Sequence, residues 1–153
     1  VTNQGGEAIG DLAVSTSSLR GVDVNGDVVV RMIDEFPILG VAAALADGET
    51  IVTQAEELRY KESDRIAMLC QELIKIGVDV TELSDGFRIN GKGKIRGGEV
   101  EAHGDHRLAM ALMVAGLAAE NPILVHGAEV VHESLPEFIP LMRSLGANIM
   151  CVE

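Results

Sequence analysis

The same succession of features occurs twice along this chain, first from Asp34 and again from Asp105. Each copy has a charged start, an Ala-rich helix, a short β-branched strand, a second helix ending at Ile-Gly or Leu-Gly, and a final strand. Chance could produce any one of these features, but their shared order predicts a repeated βαβαβ-type unit with a period of about 70 residues. We therefore expect an α/β-repeat fold of the α+β class, in a single domain over residues 1–153, with units at 28–100 and 101–153.

Hydrophobic periodicity and turn residues predict the individual elements. Helices are expected at 37–46, 63–76, 107–119 and 136–145, and glycines at positions 48, 77 and 146 are expected to end three of them. Strands are expected at 12–14, 28–31, 49–54, 78–83, 86–90, 122–126 and 148–152, with 21–27 as a turn-rich link. The strands at 78–83 and 86–90 should form a hairpin.

The composition is that of a globular protein, because 153 residues with 47% apolar side chains suffice for one domain with its own core. No apolar run approaches the ~20 residues of a membrane-spanning helix, and no signal peptide is seen. The net charge of −12 argues against nucleic acid and membranes as partners. Cys70 and Cys151 lack the spacing of a metal site or a disulfide framework, which favours a cytoplasmic location.

Two short segments place positive charge at the start of predicted helices. The first, residues 59–65, reads RYKESDR and contains three cations and two carboxylates. Lys61 and Arg65 are four residues apart, so a helix would put two like charges on one face, which costs stability. In the second segment His106 and Arg107 open the next helix, where cations oppose the helix dipole unless an anion is bound. The two clusters together predict one shared anionic ligand.

Three motifs carry a resemblance to a known family. They read IDEFPIL at 33–39, LRYKESDR at 58–65 and GDHRLAMA at 104–111, in the order and at the spacing of that family. On these motifs nearly the whole chain resembles the C-terminal part of the 5-enolpyruvylshikimate-3-phosphate synthases. The related UDP-N-acetylglucosamine enolpyruvyl transferases share the fold, but their motifs are less similar.

The resemblance implies a fold and a reaction. Family members have two similar domains, each an inside-out α/β barrel of three βαβαββ units, and this chain would supply about two of the three units in one domain. Members transfer the enolpyruvyl group of phosphoenolpyruvate to the 5-hydroxyl of shikimate 3-phosphate and release phosphate, on the route through chorismate to aromatic amino acids. A fragment is expected, also because the chain lacks an initiator Met, and we expect it to be inactive alone.

The resemblance also implies roles for individual residues. Asp34 would be the base on the 5-hydroxyl, and Glu62 would give and recover the proton at the methylene carbon. Lys61 would bind substrate and assist charge development. Arg65 and Arg107 would clamp phosphoenolpyruvate, because guanidinium groups donate in a bidentate fork to carboxylates and phosphates.

Two neighbours of Arg107 complete the expected substrate site. Asp105 would orient Arg107, and His106 would line the site. A metal site made by these two residues with His103 is geometrically poor, because three ligands crowd one bend and no fourth appears. We therefore expect no metal and no cofactor.

Position 133 departs from the family pattern. Many members have a Lys just before a Ser/Thr-Phe-Pro segment, where it contacts phosphoenolpyruvate, whereas this chain has Glu133 followed by SLP. The anion site would then depend on Lys61, Arg65 and Arg107.

Two other functions stay open on the sequence alone. One is an enolpyruvyl transferase with a different acceptor, such as UDP-N-acetylglucosamine. The other is a non-catalytic binding module, in which the cationic clusters are solvated, salt-paired surfaces. The expected partners are phosphoenolpyruvate, shikimate 3-phosphate and the missing N-terminal part of the same enzyme. Apolar surface left by the missing unit also makes self-association an expectation.

Overall fold

Helices and strands alternate through residues 2–152, the part of the chain that a computed structural model describes. The α-helices are α1 (Asp27–Arg31), α2 (Phe36–Leu45), α3 (Arg65–Lys75), α4 (His106–Gly116) and α5 (Phe138–Ser144), and two 3₁₀ helices span Glu56–Tyr60 and Ala128–Glu133. The strands are β1 (Thr2–Gln4), β2 (Glu7–Ile9), β3 (Asp23–Val24), β4 (Asp47–Val52), β5 (Asp79–Leu83), β6 (Gly86–Lys92), β7 (Gly98–Glu101) and β8 (Ile123–His126).

The strands form three separate sheets. β1 and β2 pair in an antiparallel hairpin. The central sheet has the order β3-β4-β6-β5, in which β3 and β4 are parallel and the other pairs are antiparallel. β7 and β8 form a separate parallel pair. The hairpin predicted at 78–83 and 86–90 is confirmed as β5 and β6.

The main core lies between the central sheet and helices α2, α3 and α4. Phe36 at the start of α2 meets Phe87 of β6 edge-on, with ring centroids 6.4 Å apart. Gly91 of β6 allows α2 to lie close to the sheet, because a Cβ at this position would collide with the carbonyl oxygens of Ala43 and Ala46. A smaller core joins α4 to α5 and the second 3₁₀ helix. These contacts bring the first turns of α2, α3 and α4 together.

The apolar period predicted for α3 is confirmed with one exception. Ile66, Leu69 and Leu73 are fully buried, whereas Ile74 is exposed. Gly77 follows the helix with φ 86°, a left-handed conformation that glycine adopts without steric cost. The other three helices expected from sequence are confirmed as α2, α4 and α5, with ends shifted by a few residues at most.

Three predicted strands are wrong. Residues 28–31 belong to α1, although a run of three valines favours a strand. Gly26, with φ 61°, turns the chain just before α1, and only Val29 of the helix is buried. Residues 12–14 and 148–152 have no regular secondary structure, because no neighbouring strand hydrogen-bonds to them within the described part of the chain. The predicted link at 21–27 contains β3.

The structure repeats a long helix, a strand and a second helix in each half of the chain. The division into units at 28–100 and 101–153 remains a prediction. Between residues 2 and 152, no helix combines the length and the apolar character needed to cross a membrane.

Candidate functional site

Arg65, the first residue of α3, is surrounded by carboxylates. Its side chain is only 1% exposed. Nε donates to Asp105 Oδ2 at 2.7 Å, Nη1 donates to Asp34 Oδ1 at 3.0 Å, and Nη2 donates to Glu62 Oε2 at 2.6 Å. Burying a guanidinium group is unfavourable unless its charge and its N–H groups are satisfied, so these carboxylates stabilise Arg65 in place. Burial opposes the charge, but these partners outweigh it and raise the pKa of Arg65.

Asp105 connects Arg65 to α4. It is fully buried and is the N-cap of α4, where its Oδ1 accepts the backbone N–H groups of Arg107 at 2.9 Å and Leu108 at 3.3 Å. Its Oδ2 accepts from Arg65 and from Ser63 Oγ. Burial raises the pKa of Asp105, but the hydrogen bond and charge of Arg65, together with the two backbone bonds, hold it below the ordinary 3.8.

These contacts refine one prediction about Asp105. Its carboxylate holds the backbone of Arg107, but the side chain that it orients is that of Arg65. The reason is that both carboxylate oxygens are already committed, one to the cap of α4 and the other to Arg65 and Ser63.

Asp34 joins the two arginines. It lies in the turn before α2, with its side chain 43% exposed, and its Oδ2 is 3.3 Å from Nη2 of Arg107. Nη1 of Arg107 also donates to the backbone carbonyl of Asp34 at 3.4 Å. The hydrogen bond from Arg65, helped by the charges of Arg107 and Lys61, outweighs burial and lowers the pKa of Asp34 below 3.8. Asp34 is therefore an ionised, accessible carboxylate between two guanidinium groups.

Lys61 lies near this cluster, but it does not lie on the same helix as Arg65. It is extended (φ −86°, ψ −158°) after the first 3₁₀ helix, because α3 begins only at Arg65. The two cations therefore do not share a helical face, and the predicted like-charge repulsion along a helix is wrong. Lys61 Nζ lies 3.3 Å from Glu57 Oε1, and its charge still contributes to the lowered pKa of Asp34.

The other residues that the sequence analysis singled out differ in their exposure and contacts. Glu62 is bonded to Arg65 and is 46% exposed, so solvent and ligands can reach it. His106 is half-buried at the first position of α4. Glu133 is exposed at the end of the second 3₁₀ helix, and it takes part in none of the ion pairs formed within residues 2–152.

A groove of about 230 Å³ opens beside Asp34 and Arg107. Its walls are mainly apolar and come from the starts of α2, α4 and α5. The groove is lined by Asp34, Glu35, Pro37, Ile38, Arg107, Met110, Ala111, Val114 and Phe138. A groove with apolar walls and a few charged groups at one end is typical of a small-molecule site.

Glu72 is a buried residue near the site that the sequence analysis missed. It lies on α3, fully buried, and it accepts hydrogen bonds from the backbone of Glu101 and the side chain of Lys75. The helical period contained the signal, since position 72 lies seven residues after Arg65 and next to Leu73 on the buried face. No group of three metal-binding side chains occurs in the described residues.

The chain is similar to known proteins over most of its length. Residues 4–142 match the family model of EPSP synthase (3-phosphoshikimate 1-carboxyvinyltransferase). A 3-phosphoshikimate 1-carboxyvinyltransferase of Synechococcus sp. (strain JA-3-3Ab) is 49% identical over 140 residues, which cover 92% of this chain and 32% of the relative. The chain therefore spans about a third of the length of the curated relatives that it matches.

Solved structures give the same result. A crystal structure of EPSP synthase from Acinetobacter baumannii superposes with a TM-score of 0.80 at 46% identity, over 83% of this chain and 30% of that one. The enolpyruvyl transferase NikO from Streptomyces tendae has a TM-score of 0.70 at 22% identity, over 89% of this chain and 30% of that one, and so shares the fold. The expected enolpyruvyl transferase fold is thereby confirmed for this part of it, and the chain belongs to the EPSP synthase (3-phosphoshikimate 1-carboxyvinyltransferase) family.

Proposed function

We propose that this chain forms part of an enzyme that transfers the enolpyruvyl group of phosphoenolpyruvate to the 5-hydroxyl of shikimate 3-phosphate and releases phosphate. The observation that carries the proposal is the pair of arginines, Arg65 and Arg107, that converge from two helices on the one carboxylate of Asp34. Guanidinium groups that hold a carboxylate of the protein can hold the carboxylate or phosphate of a substrate in the same way. The proposed enzyme works in the cytoplasm and completes its site with residues outside this chain.

In this proposal, an anionic group of the substrate replaces carboxylates of the protein that are bound to Arg65. Asp105 is fully buried and holds Nε of Arg65, whereas Asp34 and Glu62 hold the two outer nitrogens and are partly exposed. An anionic substrate would take the place of these two exposed carboxylates. Arg65 would keep its buried contact with Asp105, which preserves its orientation during the exchange.

The same exchange would free the groups that the reaction needs. Asp34, which is ionised while it is paired with Arg65, would be released by the exchange and would take the proton of the 5-hydroxyl as the oxygen bonds to the central carbon of phosphoenolpyruvate. Glu62 would donate a proton to the methylene carbon, and would remove one from it when phosphate leaves. Arg107, Arg65 and Lys61 would stabilise the charge on the carboxylate and the phosphate. His106 would line the site.

Phosphate release from phosphoenolpyruvate tests the proposal, with the complete natural polypeptide that contains these residues. Shikimate 3-phosphate and UDP-N-acetylglucosamine are supplied as alternative acceptors. We expect release only with shikimate 3-phosphate. Release only with the nucleotide sugar would keep the reaction and change the acceptor, whereas no release from a folded protein would favour the binding module.

A further inference from the structure

Glu72 is a buried carboxylate that the proposed reaction does not use. Its Oε1 lies 2.7 Å from Nε2 of His103, and its Oε2 accepts the backbone N–H of Glu101 at 2.9 Å. Lys75 Nζ lies 2.8 Å from both oxygens. With these partners the carboxylate is fully satisfied, and two of them belong to the segment that leads from β7 into α4.

That segment has an unusual backbone. His103 has φ 52° and Gly104 has φ 70°, so two consecutive residues are left-handed. Glycine adopts this conformation freely, but a side chain as large as His does so only when its surroundings hold it there. The short hydrogen bond to Glu72 supplies such a restraint on His103.

The left-handed turn determines where the site residues lie. The backbone N–H of Asp105 closes the turn by donating to the carbonyl of Ala102 at 2.9 Å. Asp105 then holds Arg65 and begins α4, whose second residue is Arg107. The turn is therefore attached to α3 at two points, Arg65 and Glu72, which are about 10 Å apart along the helix axis.

We propose that Glu72 and His103 are positioning residues for the anion site, which fix the turn that presents Asp105 and Arg107. This inference rests on the proposed function and deepens it. Neither residue touches the substrate; both act through the backbone between β7 and α4. The positioning of the turn depends on the hydrogen bond between them. It does not depend on the mere presence of a side chain at position 103.

Two substitutions separate the hydrogen bond from the backbone conformation. His103→Gly removes the ring but keeps the left-handed turn without strain, so the fold should persist. His103→Gln keeps a donor nitrogen near the position of Nε2 and should restore the contact with Glu72. His103→Asn is a second test variant, because Asn tolerates left-handed backbone but is too short to reach the carboxylate. His126→Ala is the control, since it removes only an exposed side-chain contact with Glu99 and avoids the backbone freedom that glycine would add to β8, next to the turn.

Two measurements in the complete polypeptide test whether the hydrogen bond between Glu72 and His103 positions the anion site. The first is steady-state kinetics, where misplacement of the anion site in His103→Gly should lower kcat/KM for phosphoenolpyruvate about tenfold to a hundredfold. The KM for shikimate 3-phosphate should change little. The second is amide hydrogen exchange, which should become faster at Arg107 and Leu108, whose N–H groups bond to Asp105, and stay unchanged within α3.

Rescue of both effects by His103→Gln, with His126→Ala behaving as the unsubstituted protein, would support the inference. Unchanged kinetics and exchange in folded His103→Gly and His103→Asn would overturn it, and so would equal impairment in His103→Gln. Faster exchange throughout α3 would assign Glu72 a general stabilising role and also overturn it. If the unsubstituted protein transfers no enolpyruvyl group, the proposed function fails, and the exchange measurement still decides whether the turn is positioned by Glu72.

Discussion

Arg65 and Arg107 contribute differently to the site because their burial differs. Arg65 is embedded among carboxylates, whereas the side chain of Arg107 is 33% exposed and makes only long contacts of 3.3 and 3.4 Å with Asp34. Arg107→Ala should therefore lower kcat/KM about a hundredfold or more, because one donor to the reacting charge is lost. Its melting temperature should stay close to that of the unsubstituted protein.

Arg88→Ala is the matched control, since Arg88 pairs with Glu49 on the exposed face of the central sheet. This variant should be nearly normal in both measurements. Near-normal kcat/KM in Arg107→Ala would contradict the role proposed for Arg107.

Asp105 should contribute to stability as well as to the site. Asp105→Ala leaves the guanidinium of Arg65 buried with one partner fewer and uncaps α4, so the free energy of unfolding should fall by about 3–5 kcal/mol. Urea-induced unfolding measures this loss. Asp79→Ala, which breaks the exposed pair with Lys92, is the control and should change stability little. Equal effects of the two substitutions would show that burial of the Arg65–Asp105 pair has no energetic consequence.

The buried carboxylates also determine how stability depends on pH. Burial raises the pKa of Asp105 and Glu72, but hydrogen bonds outweigh it and hold both pKa values below their ordinary 3.8 and 4.5. Folding therefore favours the ionised forms, so their contribution is complete above these ordinary values and is lost as pH falls through the lower folded values. We expect the urea midpoint to be flat near neutrality and to fall below about pH 4.5. If the urea midpoint of Glu72→Gln falls less at acid pH than that of the unsubstituted protein, part of the loss of stability is due to Glu72. If the two midpoints fall equally, Glu72 does not contribute to that loss.

Packing between α2 and the central sheet depends on a glycine of β6. A methyl group at Gly91 would meet the carbonyl oxygens of Ala43 in α2 and of Ala46 just after it, which are backbone atoms and cannot move aside cheaply. Gly91→Ala should therefore lower the free energy of unfolding by about 1–3 kcal/mol or more. Gly116→Ala is the matched substitution within a helix, where the added Cβ meets Ile123 at an ordinary 3.6 Å. It should stabilise the protein by less than about 1 kcal/mol, because glycine costs free energy in a helix but Gly116 is the last residue of α4. Urea unfolding of both variants checks the opposite signs.

The elements that the sequence predicted correctly carry a local signal of their own, which in α3 is a long helical period. α3 repeats apolar residues at helical spacing and ends at Gly77, so its position follows from local information. The valines at 28–30 carry only a local preference for strand, and a strand needs a partner that the rest of the molecule must provide. α1 forms instead because Gly26 turns the chain and a single valine reaches the core.

The sequence predicted which residues form the site, but not which of their side chains pair with one another. The motifs identified Asp34, Glu62, Arg65 and Arg107, and the structure brings these side chains into one cluster. The choice of Arg65 as the side-chain partner of Asp105 depends on how α3 and α4 meet, which no spacing in the sequence specifies. Glu72 was missed for a different reason: the helical period placed it on the buried face of α3, but a Glu ordinarily faces solvent.

At the scale of the molecule, the net charge of the chain opposes the binding of an anion that is proposed for the site. The net charge of −12 repels an anion at long range, and the cluster around Arg65 contains three carboxylates for two arginines. Screening reduces the distant repulsion beyond about 10 Å at 0.1 M salt. In the proposed function, anion binding therefore depends on displacing nearby carboxylates and on Lys61, and the chain spans only about a third of the length of its relatives. Residues outside the chain would then have to supply the remaining positive charge.

The isolated chain should associate with itself, and salt should strengthen the association. Its surface exposes large apolar side chains in the segments around residues 12–14 and 145–152, with Leu12 93% and Leu145 82% exposed. The charge of −12 keeps copies apart at low salt, and screening at high salt removes that repulsion without weakening apolar contacts. We expect the sedimentation coefficient to rise with protein concentration, more steeply at high salt. Leu145→Asp with Met150→Asp should reduce the rise, whereas Lys92→Gln, on an exposed strand end, should not. A single species with a constant sedimentation coefficient over a wide concentration range, at both salt levels, would contradict the prediction and show that these apolar residues are too dispersed to form an interface.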